Sequence, residues 1–173
     1  TKVILAMGGG TGSAKINKMV IEALPHWSRD WHVIHLVGRD RPREIQENAT
    51  HVFPNYHVYQ FLKDDMKDAY ALADVVIARA GFATLTELAA LAKPAVILPM
   101  SETHQEVNAK LLADNSAAIV LDERTDTGLK LARIVADLFE SEEYRASLGN
   151  KLKKTLPPAE PIKVAAIVDS LAI

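Results

Sequence analysis

Four runs of this chain are apolar at every position rather than at alternate ones: 3–7, 75–78, 95–98 and 118–121. A strand with one wet face alternates apolar and polar residues. A strand apolar throughout is buried on both faces, which requires a sheet with helices above and below it. Amphipathic stretches separate these runs, so the order of elements is strand, helix, strand, helix. That order builds a mainly parallel sheet, because parallel neighbours need a crossover and a helix is the usual one.

Six extended segments are expected at 2–7, 31–37, 58–62, 75–78, 94–99 and 118–121. Helices are expected between them. One has Ile16, Met19, Val20 and Leu24 on one face and stops at Pro25; a short one spans 41–49 and another 65–72, capped by Asp64 or Asp65. Further helices start near Thr84, run over 105–114, open at Thr127-Gly128 and continue to about Glu140, and span 142–154. Pro157-Pro158 breaks the chain, and 161–171 reads as a terminal helix. No repeat, linker or low-complexity segment divides the 173 residues, so residues 1–173 read as one Rossmann-like α/β domain with a six-stranded sheet and helices on both faces.

The composition removes several functional classes. A formal net charge of −2 without a Lys/Arg cluster lacks the electrostatic footprint of a nucleic-acid binder, so no nucleic-acid partner is expected. The absence of cysteine excludes disulfides, thiolate catalysis and Cys-ligated zinc, and is compatible with the cytoplasm. The six histidines show no metal-ligand spacing, and neither a metal nor a cofactor is expected. No apolar run approaches the roughly 20 residues that span a bilayer. The chain starts at Thr1 almost directly in a strand, which suits a piece of something longer as well as it suits a trimmed start.

In open parallel sheets ligands bind beyond the carboxyl ends of the strands, near the switch in strand order. Four loops occupy such positions. Gly8-Gly9-Gly10-Thr11-Gly12-Ser13 has four glycines in five residues where one would make a turn, which favours a phosphate-facing loop. It fits the dinucleotide fingerprint poorly, since the third glycine falls on Ser13, and it lacks the Gly-Lys-Ser/Thr of a P-loop. Phe61-Leu62-Lys63-Asp64-Asp65-Met66 offers backbone groups to a base, or simply caps a helix with Met66 turned inward. Arg79 to Glu87 is a small-residue turn opening a helix. Thr84 is either its N-cap, with Glu87 completing a capping box, or Glu87 is a carboxylate beside a phosphate-sized site. Met100 to Ala109 carries hydroxyl, imidazole and amide groups suited to sugar hydroxyls, or a polar first turn. Trp27, Trp31, Tyr56 and Tyr59 read as packing residues.

These loops, in this order, resemble the C-terminal domain of the MurG family of glycosyltransferases. The matching residues are Gly9 to Asn17, Asp64-Asp65-Met66 through Ala73-Asp74-Val75-Val76, Arg79-Ala80-Gly81 through Thr84 and Glu87, and Gln105 with Asn108-Ala109. The family moves N-acetylglucosamine from UDP to a lipid-linked muramyl-pentapeptide, by inverting displacement without a metal. Its two Rossmann-like domains (the GT-B arrangement) enclose a cleft.

The resemblance implies that Gly10, Thr11 and Gly12 lie against the UDP diphosphate, with Ala83 and Thr84 on its other side. It implies that Leu62 contacts uracil through its backbone, Glu87 holds the ribose hydroxyls, and His104 and Gln105 bind the donor sugar. Gly10 and Thr11 stand where the family motif has serine and glutamine, and His104 where some members have another polar residue. The expected partners are UDP-N-acetylglucosamine, an N-terminal acceptor domain or subunit, and the lipid-linked acceptor through it. The catalytic base is expected in that other domain. The complete enzyme is expected on the inner face of the cell membrane, and this chain alone is expected to be inactive. Two alternatives stay open: a natural half-enzyme paired with a membrane acceptor subunit, and a non-catalytic or NAD-type nucleotide-binding module.

Overall fold

The computed structural model describes residues 1–42 and 44–158, together with 162, 165, 169 and 170. The expected terminal helix at 161–171 lies largely outside the described residues.

Six strands form one sheet: β1 (Val3–Met7), β2 (His32–Leu36), β3 (Tyr56–Tyr59), β4 (Val75–Ala78), β5 (Ala95–Ile97) and β6 (Ile119–Val120). The order is β3-β2-β1-β4-β5-β6 and every neighbouring pair is parallel. The helices are α1 (Ala14–Ala23), α2 (Glu44–Thr50), α3 (Met66–Leu72), α4 (Phe82–Ala90), α5 (His104–Asp114), α6 (Gly128–Glu140) and α7 (Glu142–Thr155). A short 3-10 turn at Leu24–His26, built around Pro25, ends α1.

The double burial anticipated for the apolar runs is visible residue by residue. Successive side chains on a strand point to opposite faces. Ile4, Ala6, Val75, Ile77 and Val96 therefore enter one core, with α1 and α6 residues such as Met19, Val20, Leu131 and Val135. Leu5, Met7, Val76, Ala78, Ala95 and Ile97 enter the other, with Tyr70 of α3, Leu85 and Leu88 of α4 and Leu112 of α5. Trp27 and Tyr56 are buried and Trp31 packs edge-on against Phe139, so three of the four large aromatics pack as expected; Tyr59 is 43% exposed.

Element boundaries shift where local chemistry outweighs hydrophobic patterning. The third strand covers Tyr56–Tyr59 rather than 58–62, which releases Phe61 and Leu62 into a loop. The helix after β4 starts at Phe82 with Gly81 as N-cap, so Thr84 is its third residue and Glu87 lies in its second turn. The capping-box alternative for Thr84 and Glu87 is thereby overturned. Extended backbone at Gly81 (φ −69°, ψ 134°) lets the helix begin earlier than the Thr-x-x-Glu spacing indicates. Asp65 precedes α3, but its side chain makes no capping hydrogen bond. Ser13, Thr103, Thr127 and Ser141 do cap α1, α5, α6 and α7 through their hydroxyls.

Candidate functional site

The strand order reverses direction between β1 and β4, which pair with Met7 opposite Ala78. The loops leaving these two residues therefore emerge side by side at the carboxyl edge of the sheet. Leu36 pairs with Met7 on one flank, and Ile97 with Ala78 on the other. All four loops singled out in the sequence thus share one edge.

A cleft of about 420 Å³ opens there, lined by Met7, Gly9, Gly10, Leu36, Gln60, Phe61, Leu62, Lys63, Met66, Thr84 and Glu87. Of the nine expected binding residues, Gly10, Leu62, Thr84 and Glu87 line it; Thr11, Gly12, Ala83, His104 and Gln105 do not.

The glycine-rich loop divides its labour. Gly12 sits at φ +72° against the Val37 carbonyl and the Gly38 backbone, where a Cβ would collide with both. Its amide donates to the Gly9 carbonyl at 3.0 Å and closes the turn. Gly12 is therefore required by packing. A Cβ on Gly10 would meet nothing within 4 Å, so this position faces open space in the cleft. Thr11 is exposed, and its carbonyl accepts a hydrogen bond from Arg41.

Behind the loop lies a buried polar chain. The Asn17 amide nitrogen donates to the Val37 carbonyl at 3.0 Å, which leaves its oxygen as the acceptor from His35 Nε2, also at 3.0 Å. His35 Nδ1 then accepts from the Tyr56 hydroxyl at 2.7 Å. The imidazole is neutral with its proton on Nε2, and burial pushes its pKa down to about 3. This chain fixes α1, and the loop before it, to β2 and β3.

The β3–α3 loop is braced by the segment that follows β2. The Arg39 guanidinium stacks 3.9 Å from the centre of the Phe61 ring, and its backbone N–H reaches the Gly10 carbonyl. Across the cleft, Glu87 accepts a hydrogen bond from the Tyr70 hydroxyl at 2.8 Å on Oε2. Tyr70 is buried in α3, inside the matching run 64–76 but with no role assigned from sequence; its partner is 17 residues away, and only the meeting of α3 with α4 reveals the pair.

The loops after β4, β5 and β6 are tied together. Arg79 donates through one guanidinium nitrogen to the carbonyls of Leu98 and Pro99 and pairs with Glu123. Glu123 also accepts from the Ser101 amide at 2.7 Å. Burial opposes the Glu123 charge, but the Ser101 amide and the Arg79 guanidinium outweigh it and hold the carboxyl below its usual pKa. Asn108 donates to the Ala80 carbonyl at 2.9 Å, joining α5 to the turn before α4. Gln105 turns its side-chain oxygen back to the Met100 amide, while His104 is exposed at the start of α5. Among the described residues no cluster of three or more His, Cys, Asp or Glu could hold a metal ion.

Chemically, the edge offers two helix N-termini, of α1 and α4, for an anion. It adds a carboxylate suited to paired hydroxyls, and Leu62 in the cleft lining for a planar group.

Residues 3–159 match the glycosyltransferase family 28 C-terminal domain. The chain belongs to this family. Similar to it are two enzymes named UDP-N-acetylglucosamine–N-acetylmuramyl-(pentapeptide) pyrophosphoryl-undecaprenol N-acetylglucosamine transferase. That of Syntrophotalea carbinolica is 35% identical over 87% of this chain and 44% of its own length. That of Anaeromyxobacter dehalogenans is 35% identical over 95% of this chain and 44% of its own length. The crystal structure of Acinetobacter baumannii MurG superposes with a TM-score of 0.81 at 29% identity, covering 98% of this chain and 48% of that one. The chain thus spans less than half the length of these relatives, and its fold is that of the C-terminal half of a GT-B glycosyltransferase. Within the family's domain, the switch-point cleft is the candidate ligand site.

Proposed function

We propose that this chain binds UDP-N-acetylglucosamine as the donor half of an inverting glycosyltransferase of lipid-linked peptidoglycan precursor synthesis. The observation that carries the reading is the cleft at the β1/β4 switch point, where Gly10, Leu62, Thr84 and Glu87 converge in a member of glycosyltransferase family 28. Uracil would lie against the Leu62 backbone, the ribose against Glu87, and the diphosphate between the N-termini of α1 and α4. Those helix ends suit the charge that builds on UDP as it leaves the anomeric carbon. Thr11 and Gly12 belong to the loop before α1, and Ala83 to the first turn of α4, beside the place the diphosphate would take. His104 and Gln105 stand at the edge toward which the sugar would extend.

The acceptor hydroxyl needs a base, and a second domain or subunit would supply it together with the lipid-linked acceptor. No helix among the described residues is long and apolar enough to cross a membrane. Peripheral attachment to the inner membrane face would belong to the complete enzyme.

Calorimetry with UDP, UDP-N-acetylglucosamine and adenine nucleotides tests the reading. Uridine ligands are expected to bind in preference, and Glu87→Ala is expected to weaken UDP by about 1–3 kcal/mol, the scale of hydrogen bonds to a charged group. No binding of either uridine ligand at millimolar concentration by the folded chain would refute it. NAD binding in preference to UDP would favour the dinucleotide alternative.

A further inference from the structure

Glu87 rises from α4 between two fully buried neighbours in the helix, Leu85 and Leu88, so its backbone is fixed. Its carboxylate is on the exposed side of the helix and has three rotatable bonds with which to wander. Tyr70 Oη stops that motion: it donates to Glu87 Oε2 at 2.8 Å. The tyrosine ring is itself held in the core, 5% exposed, and its hydroxyl lies 3.6 Å from Sδ of Met7, the residue just before the glycine-rich loop. One buried side chain thus touches both walls of the cleft. Glu87 Oε1 has no hydrogen-bond partner among the described residues.

We propose that Tyr70 is a positioning residue that aims the Glu87 carboxylate at the vicinal hydroxyls of a nucleotide ribose, an inference that rests on the nucleotide reading of the cleft. A carboxylate offers about four lone-pair sites. Tyr70 uses one, which leaves enough for two neighbouring hydroxyls. Holding the carboxylate before the ligand arrives removes an ordering cost that binding would otherwise bear. Burial, then the hydrogen bond to Glu87 and its charge, raise the Tyr70 pKa above its ordinary value. The phenol therefore stays protonated, and a donor, throughout the pH range of a folded protein.

The test compares UDP with 2′-deoxy-UDP and 3′-deoxy-UDP by calorimetry on the unchanged chain, Tyr70→Phe, Glu87→Ala and the double variant. The unchanged chain is expected to prefer UDP over either deoxy ligand by about tenfold or more. Tyr70→Phe is expected to lower UDP affinity about five- to tenfold and to leave the deoxy ligands within about twofold, so that the ribose preference collapses. The double variant is expected to bind like Glu87→Ala. Glu87→Asp keeps the charge but withdraws the carboxylate from Tyr70, at an exposed site where folding is safe, and is expected to lose preference in the same direction.

A Tyr70→Phe chain with full ribose preference overturns the inference. So does one that loses all three ligands equally, since that is the behaviour of a packing residue. If UDP does not bind the unchanged chain, the nucleotide reading itself fails and this inference falls with it. UDP binding with a preference that ignores Tyr70 refutes the positioning role alone.

Discussion

Lowering the pH from 7.5 to 5.0 is expected to destabilise the protein through one buried imidazole. His35 has no solvent exposure, donates from Nε2 to Asn17 and accepts at Nδ1 from Tyr56. A proton placed on Nδ1 would face a hydroxyl that already points its own hydrogen there. Burial holds the His35 pKa at about 3, against 6.5 for an unhindered imidazole.

The unfolded chain therefore takes up a proton as pH falls through 6.5, while the folded chain takes one up only near 3. Stability from this group is complete above pH 6.5 and drains away as pH falls toward 3. At about 1.36 kcal/mol for each unit of difference, the full loss is about 5 kcal/mol. Some 2 kcal/mol of it comes between pH 7.5 and 5.0. That is a large fraction of the roughly 5–15 kcal/mol that holds an ordinary domain folded. An unperturbed carboxyl group titrates below this window. His57, half-buried on β3 and lowered by burial and then by the neighbouring His32 charge, acts in the same direction.

Urea unfolding at pH 7.5, 6.5, 5.5 and 5.0 measures the slope, and ring-proton NMR follows His35 directly. A His35 resonance that titrates near pH 6.5 would refute the reasoning, as would a stability change below about 0.5 kcal/mol across the window.

Two further perturbations separate folding from binding. Glu123→Ala leaves the largely buried Arg79 guanidinium without its ion partner and is expected to destabilise the domain by about 3 kcal/mol, with Glu123→Gln costing less; a loss under 1 kcal/mol in urea unfolding would show that Arg79 finds other partners. Gly12→Ala puts a Cβ into the Val37 carbonyl at positive φ and is expected to lower the melting temperature, whereas Gly10→Ala meets nothing and is expected to leave melting unchanged while weakening UDP binding. Equal melting of the two glycine variants would contradict that division.

The amino-acid sequence by itself determined the layered α/β fold. Runs such as Val3–Met7 and Val75–Ala78 are apolar at every position, and hydrophobic burial on both faces of a strand has few other solutions. It also pointed to the four loops, because glycine clusters and short polar turns at strand ends carry their own signal. Local rules failed where several conformations were affordable to the backbone. Thr84-x-x-Glu87 has the spacing of a capping box, yet extended backbone at Gly81 starts α4 three residues earlier and moves Glu87 into its second turn.

Only the tertiary structure decided which groups meet. Tyr70 with Glu87, Arg79 with Glu123, and Asn17 with His35 and Tyr56 are pairs separated by 17 to 44 residues in the chain. No periodicity encodes them, because hydrogen bonds and ion pairs act over a few ångströms of space. The parallel pairing of β1 with β4 is what sets the glycine-rich loop beside the turn that leads to Glu87.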